Sequence, residues 1–408
     1  MGRKEHFVAL IPEGPIRVGE VKPKGDYLGT RPYLPGSVLR GALAEWLKAQ
    51  GREREIEPLV RAARFGNLFP SPSEGVYALP FPMTALTCKL ASGFRAAASK
   101  GGHGVRDSLL LAVAYGELEG RGVRFPVPLL LRCTHRDAEG RLCGGRMERV
   151  IGFYARLPGG WEKVEVSLGL QTKVALSRRR RAAQEGMLYR VVALRPRPQG
   201  AFVGRLWAEN STMLSELCEA VAAMGVGGLT GRGFGAARLK VWPPEEKEKR
   251  APLPPLEERV RTFNEKLREA WQDLAELAKQ AGTVDDPLKE PPGVYFSVDL
   301  LAPAVLTDPQ GVPSLKLWIR IGDRLLEPVW WATQPAFVGG FSTAWGLPKP
   351  TALGAAAGSV YVFRSELPEE ELIPHLEALE AQGVGERTDE GLGEILVCHP
   401  FHPEVMPV

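Results

Sequence analysis

Four side chains suited to holding a soft divalent ion fall within one stretch of this 408-residue chain: Cys88, His103, Cys133 and Cys143. Thiolates and imidazole are the donor set of a closed tetrahedral structural zinc site. The segments that carry them, TCK, GGHGVRD and CTHRDAEGRLCGG, are rich in glycine and polar residues, as metal-binding loops are. Tight C-x-x-C knuckles are absent and His135 is an alternative to His103; buried thiols beside an unrelated histidine are the competing reading. Cys218 and Cys398 sit in apolar periodic settings and are expected in the core.

A second chemistry is the binding of a polyanion. From Lys173 to Arg205 nearly every charge is positive, with Glu185 the lone carboxylate. The run Arg178, Arg179, Arg180, Arg181 follows Ser177 and precedes Gly186 and Leu188-Tyr189, which predicts a hairpin tip or loop that projects cations along a phosphate chain. Lys173 leads into the run and can reach the same backbone. A solvated loop is the bland alternative. In Gly231-Arg232-Gly233-Phe234-Gly235 the glycines permit positive φ and let backbone N–H groups approach a phosphate that Arg232 neutralises; a tight helix-to-strand turn explains the same residues without a ligand. In the second half, Trp330, Trp331 and Trp345 surround Gly339-Gly340, so Trp345 can stack a base beside Lys349, against ordinary core packing. The formal net charge is only +4, but the balance reverses between Glu366 and Glu394, and such a dipolar chain suits a polyanion on one face and a different partner, such as a basic protein surface, on another.

These groups need a scaffold, and the length suits two domains, each with its own core. With 44% hydrophobic and 25% charged residues the chain reads as globular, and no apolar run approaches the length of a membrane span. The opening MGRKEHFVALIPEG lacks a signal-peptide core, so a cytoplasmic location is expected, and five scattered cysteines do not suggest a disulfide framework. Prolines and alternating charges after Trp242 mark a boundary. The expected division is a first domain over 1–242 with an insertion at about 80–150, a linker and amphipathic helix over 243–290, and a second domain over 291–408. A strand over 6–11, a helix that Pro35 and Ser37 can cap and that runs to Ala49, and a helix over 211–224 belong to the first. Leu256, Val260, Phe263, Leu267, Trp271, Leu274 and Leu277 trace the linker helix. Both domains end in a G-x-G turn feeding an apolar strand, GLTGRGFGAARLKVW and RTDEGLGEILVCHPFH. The expected class is α+β, with two tandem ferredoxin-like or RRM-like βαββαβ domains and a zinc-binding insertion in the first.

The string Pro35-Gly36-Ser37-Val38-Leu39-Arg40-Gly41-Ala42-Leu43 resembles the helix-one signature of the CRISPR-associated RAMP superfamily, and Gly231 to Gly235 resembles its glycine-rich loop. QTKVALSRRRRAAQEGMLYRVVAL and GGFSTAWGLPKPTALGAAAGSVYVF are further matches, and the likeness is greatest to the large two-domain RAMP subunit of type III-D effectors. The resemblance implies a structural, non-catalytic subunit that holds CRISPR guide RNA near its 5′ handle, with Arg40 among the RNA contacts. It also implies the large polymerase-like effector subunit and RAMP backbone subunits as partners, and a Cys- and His-bearing insertion. Some members cleave RNA with an aspartate before helix one. Asp26 occupies a comparable stretch, which keeps an endoribonuclease as the alternative, although a Gly-Asp pair is equally a turn. No P-loop, G-x-S-x-G elbow, H-E-x-x-H or dinucleotide fingerprint is present; Gly228 to Gly235 leads from helix to strand, the reverse of the dinucleotide order.

Overall fold

In the first strand, β1 (Lys4–Pro12), apolar side chains occupy both faces because both are covered. Val8 and Leu10 face helices, whereas Phe7 and Ala9 face the insertion. The computed structural model describes residues 3–19, 27–95, 102–126, 128–209, 211–243, 253–284, 290–342 and 346–406. After β1 come helix α1 (Gly36–Ala49), strands β2 (Ala63–Ser71) and β3 (Ala201–Ala208), helix α2 (Ser211–Met224) and strand β4 (Ala237–Val241). They form an antiparallel sheet ordered β4-β1-β3-β2, with His6 opposite Leu206 and Leu10 opposite Leu239. Leu39, Leu43 and Leu47 of α1 and Leu217 and Val221 of α2 close one face. Pro35 is the N-cap of α1, its fixed φ suiting the start of the helix, and no side chain caps it, so the expected cap by Ser37 is not formed.

The linker helix α3 (Leu256–Gln280) leads into β5 (Val294–Leu300), β6 (Trp330–Ala332), β7 (Val360–Ser365), α4 (Glu369–Gln382) and β8 (Ile395–Val397). The second sheet is ordered β8-β5-β7-β6, the same strand sequence as the first. One expected element is missing. Between β5 and β6 the described chain forms two short hairpins, Leu306–Thr307 with Pro313–Ser314 and Ile319–Ile321 with Arg324–Leu326, in place of a helix. The sheet face is covered instead by Phe263, Leu267 and Trp271 of α3 and by Leu110 and Val113 of the insertion helix Leu109–Gly120, packed in one cluster with Tyr295, Phe296 and Phe363. That helix is apolar over most of its surface and buries Leu109, Leu110, Val113, Ala114 and Leu118 against α3 and the second sheet.

Charged side chains join the halves inside the protein. Arg205 of β3, from the basic tract, is 1% exposed. It donates from Nη1 to Glu380 Oε1 at 2.8 Å and from Nη2 to the Ile395 carbonyl at 2.8 Å, and its Nη2 lies 3.3 Å from Glu394 Oε1. Arg259 of α3 reaches Glu380 Oε2 at 3.0 Å, and Asn67 donates its backbone and side-chain N–H groups to Glu394 Oε2 at 2.8 and 2.9 Å. Burial disfavours the Glu380 carboxylate, but Arg259 and Arg205 outweigh it and hold its pKa below the ordinary value. Much of the acidic stretch therefore meets cations of its own chain.

A second buried link runs from the insertion to the C-terminal end. His402 lies with Nε2 2.7 Å from Asp299 Oδ1 and Nδ1 3.1 Å from Asp107 Oδ1. Burial alone lowers its pKa, yet the two carboxylates raise it to about 10. The folded pKa thus exceeds the unfolded one, about 6.5, so this contribution to stability is complete below pH 6.5 and is lost as pH rises toward 10. Denaturant unfolding across that interval should show the wild-type chain losing stability more steeply than His402→Gln; parallel profiles would contradict the assignment. Truncation of one partner of a buried ion pair costs about 3–5 kcal/mol. Glu394→Ala should therefore unfold at markedly lower denaturant, and a change below about 1 kcal/mol, the scale of a surface pair, would show that the cluster does not hold the halves together.

Candidate nucleic-acid interface and metal centre

The two glycine turns are copies in backbone detail. In the first, Leu229 has φ 66°, Thr230–Arg232 make one turn of 3₁₀ helix, and Gly233 has φ 83°; in the second, Arg387 has φ 59°, Thr388–Glu390 make the same turn, and Gly391 has φ 86°. Val226 N–H bonds the Gly235 carbonyl at 2.8 Å and Val384 N–H bonds that of Gly393 at 2.9 Å. The last glycine of each is fixed by space. A Cβ on Gly235 would sit 2.5 Å from the Val226 oxygen, and one on Gly393 would sit 1.7 Å from that of Val384. Positive φ holds for Gly233 and Gly235 but not for Gly231, which lies within the 3₁₀ turn, so that expectation is corrected.

The copies differ in what they face. Gly231, Arg232 and Gly233 are exposed, whereas Gly391 of the second turn packs on the first unit, its carbonyl accepting from Asn67 Nδ2 at 2.6 Å. There Asp389 and Glu390 replace Gly231 and Arg232. Asp389 Oδ2 lies 2.5 Å from Arg40 Nη1, and Glu390 Oε2 lies 2.7 Å from Lys349 Nζ and 2.8 Å from Arg387 Nη2. Arg40 and Lys349 are thus brought to the second turn and ion-paired, away from the first. Trp345 and Asp26 lie outside the described residues.

Beside the first turn stands a hairpin arm, Leu168–Ser177 with Ala182–Leu194. Its base is anchored by Val191 and Ala193, which pack on Phe234, and its outer part is exposed on both faces from Val174 to Leu188 apart from partly covered Ala175 and Ser177. Arg178, Arg179, Arg180 and Arg181 form the tip, where Arg181 takes φ 51° and its N–H bonds the Ser177 carbonyl at 2.8 Å. Lys173 of the arm lies 5.1 Å over the Phe234 ring, and Arg232 Nη1 donates to Tyr189 Oη at 3.1 Å. The sequence placed Lys173 with the arginine run and Arg232 in a separate motif; the fold sets Arg232 and Phe234 of the turn against Tyr189 and Lys173 of the arm, with Tyr189 a contact that spacing alone did not reveal. Arg190, Arg195 and Arg197 are exposed nearby on the arm and the segment after it.

The insertion gathers the cysteines. Cys88 ends the strand Ala85–Cys88, His103 precedes Val105–Asp107, and Cys133 and Cys143 lie on the two arms of a narrow hairpin bridged at Arg132–Arg146 and Arg136–Leu142, Cys133 opposite Gly145 and Cys143 opposite His135. The donor atoms of Cys88, His103, Cys133 and Cys143 all lie within 4.8 Å of one another and can hold one metal ion. His103 is the histidine of this cluster; His135, the alternative, instead stacks on its ring at 4.0 Å between centroids. Burial opposes the Cys88 thiolate, but N–H groups of Ala91 and Leu90 aimed at its sulfur hold the pKa below the ordinary thiol value. Burial pushes Cys133 up to about 11 and lowers His103, the latter helped by His135 and Arg95, which keeps the imidazole neutral and able to ligate. Gly145 leaves the room required: a Cβ there would lie 3.2 Å from Cys143 Sγ and 3.3 Å from Cys88 Sγ. Cys398 is buried in the second core and Cys218 half-buried against the first, as expected.

Among the described residues no helix is long and apolar enough to cross a membrane. No curated protein matches the chain. Among solved structures, a chain of the type III-B Cmr-beta complex bound to cognate target RNA and AMPPnP is 14% identical over 90% of this chain and 94% of that one, with a TM-score of 0.41. A chain of the Csm3-Csm4 subcomplex of the type III-A interference complex is 13% identical over 90% and 95%, with a TM-score of 0.36. The Cas6-related protein of Pyrococcus furiosus is 8% identical over 98% and 100%, with a TM-score of 0.29. Two family models match, that of the RAMP superfamily over residues 11–238 and that of the CRISPR-associated protein Cas_Cmr3 over residues 165–400, so the glycine turn and arm lie where both apply, and the chain belongs to the RAMP superfamily and to its Cas_Cmr3 family.

Proposed function

We propose that this chain is a structural, non-catalytic subunit that holds guide RNA in a type III CRISPR ribonucleoprotein of antiviral defence. The observation that carries the reading is the exposed cationic surface made by Arg232 and Lys173 against the arm tipped by Arg178 to Arg181. Open backbone at Gly231 and Gly233 gives a phosphate close approach, and guanidinium groups match its geometry. Each sheet with its helices is read as a ferredoxin-like, RRM-like domain, the second having lost its first helix, with boundaries near 242 and 290. The type III-D likeness supports a seat at the 5′ handle, with the large polymerase-like subunit and RAMP backbone subunits as neighbours in the cytoplasm. The second glycine turn, with Arg40 and Lys349 engaged by Asp389 and Glu390, then works as an internal joint.

Zinc fits the cysteine cluster. Bonds of about 2.3 Å in a tetrahedron separate two sulfurs by about 3.8 Å, and Cys88 and Cys143 Sγ are 3.8 Å apart. The four side chains would supply three thiolates and one imidazole, a closed set that braces the insertion and leaves no open position for catalysis.

Replacing Arg178, Arg179, Arg180 and Arg181 together by alanine should weaken binding of a labelled single-stranded RNA. The slope of log affinity against log salt should flatten by up to about 2.8, roughly 0.7 for each phosphate no longer neutralised. An unchanged slope removes the arm from the interface. Elemental analysis of purified chain should give one zinc per chain, falling with loss of thermal stability in Cys133→Ser; metal-free protein of full stability would contradict the zinc assignment.

A further inference from the structure

We propose that the outer face of the metal-braced insertion is a second RNA-binding surface, separate from the arm, in which Lys89, Arg146 and Arg132 form a ladder for the phosphate backbone of an unpaired strand. Cys88 pairs with Met147 across two strands, and Lys89 N–H bonds the Arg146 carbonyl at 3.0 Å, which sets Lys89 opposite Arg146. Arg146 is in turn bridged to Arg132 on the next strand. Three cations thus stand side by side, one per strand, at the interstrand spacing of about 4.8 Å. All three are exposed, and among the described residues no carboxylate pairs with any of them.

Such a row is unfavourable by itself, because like charges directly opposite across a sheet repel. The acids of the hairpin tip do not relieve it: Asp137 and Glu139 are bound by Arg141 at 2.7 and 3.0 Å. Nor does the row balance the cysteine cluster. Successive residues of a strand face opposite ways, so Lys89 and Arg132, next to Cys88 and Cys133, project away from the donor atoms. On the cluster side stand other cations: Arg106, which donates to Thr134 Oγ1 at 2.6 Å and feels the Cys133 sulfur, and Arg95, whose Nε donates to the His103 carbonyl at 3.4 Å. An external polyanion is what the ladder lacks. Leu130, two residues before Arg132 and 69% exposed, offers apolar contact to bases, which an unpaired strand presents and a duplex hides in its stack.

The test uses the full chain with labelled oligouridylate, comparing the unmodified protein, the arm variant, and Lys89→Gln/Arg132→Gln/Arg146→Gln. The ladder variant should keep its metal content and be at least as heat-stable without RNA, since it sheds repulsion. Its salt slope should flatten by up to about 2.1, additively with the arm variant. RNA binding that responds to the arm but not to the ladder overturns this inference alone, and the reverse overturns only the arm's assignment. Loss of polyglutamate binding by the ladder variant with its RNA slope intact would assign the surface to an acidic protein and overturn the inference.

Discussion

Arg205 sits at the point where the two halves of the chain, each with its own four-stranded sheet, meet. A guanidinium with 1% exposure is tolerable because Glu380, Glu394 and the Ile395 carbonyl come to it from the second half, and Glu5 of β1 at 3.5 Å from the first, where it is held in β3. The carboxylates are constrained in turn. Glu380 is shared with Arg259 on the linker helix, and Glu394 is bonded by Asn67 on β2. Moving either unit relative to the other would strand a buried charge, so the ion cluster fixes the orientation of the two sheets and of everything built on their edges.

That orientation explains why one motif serves two ends. The second glycine turn lies between Glu380 and Glu394 of the joint, reaches β2 through Asn67, and carries Asp389 and Glu390 to meet Arg40, Lys349 and Arg387. The first has the same backbone but presents Arg232 to solvent beside the arm. The two turns share one rigid glycine hairpin and differ at two positions inside it, Gly-Arg exposed to solvent in the first and Asp-Glu paired with cations of its own chain in the second.

The helices with a strong apolar period were legible in the sequence: α1, α2 and α3 lie where the spacing put them, and the paired glycine turns were recognisable from their own residues. Cys88, His103, Cys133 and Cys143 were legible as donor types, and the fold chose His103 over His135. What could not be read were relations between distant segments. Arg205 looked like one more member of a basic tract, because nothing local distinguishes a buried arginine whose partners lie 175 and 189 residues away. Arg40 and Lys349 were placed with the RNA-facing cations for the same reason. The missing helix after β5 escaped because its role passed to the insertion helix Leu109–Gly120, a substitution visible only in the assembled core.

The asymmetry between the two glycine turns is the claim on which the functional account stands, and photocrosslinking of 4-thiouridine RNA to the full chain tests it most directly. Crosslinked peptides are predicted from the arm around Arg178 to Arg181 and from Leu229 to Gly235, with none from Arg387 to Gly393. Crosslinks concentrated on the second turn, with the arm and the first turn silent, would contradict it.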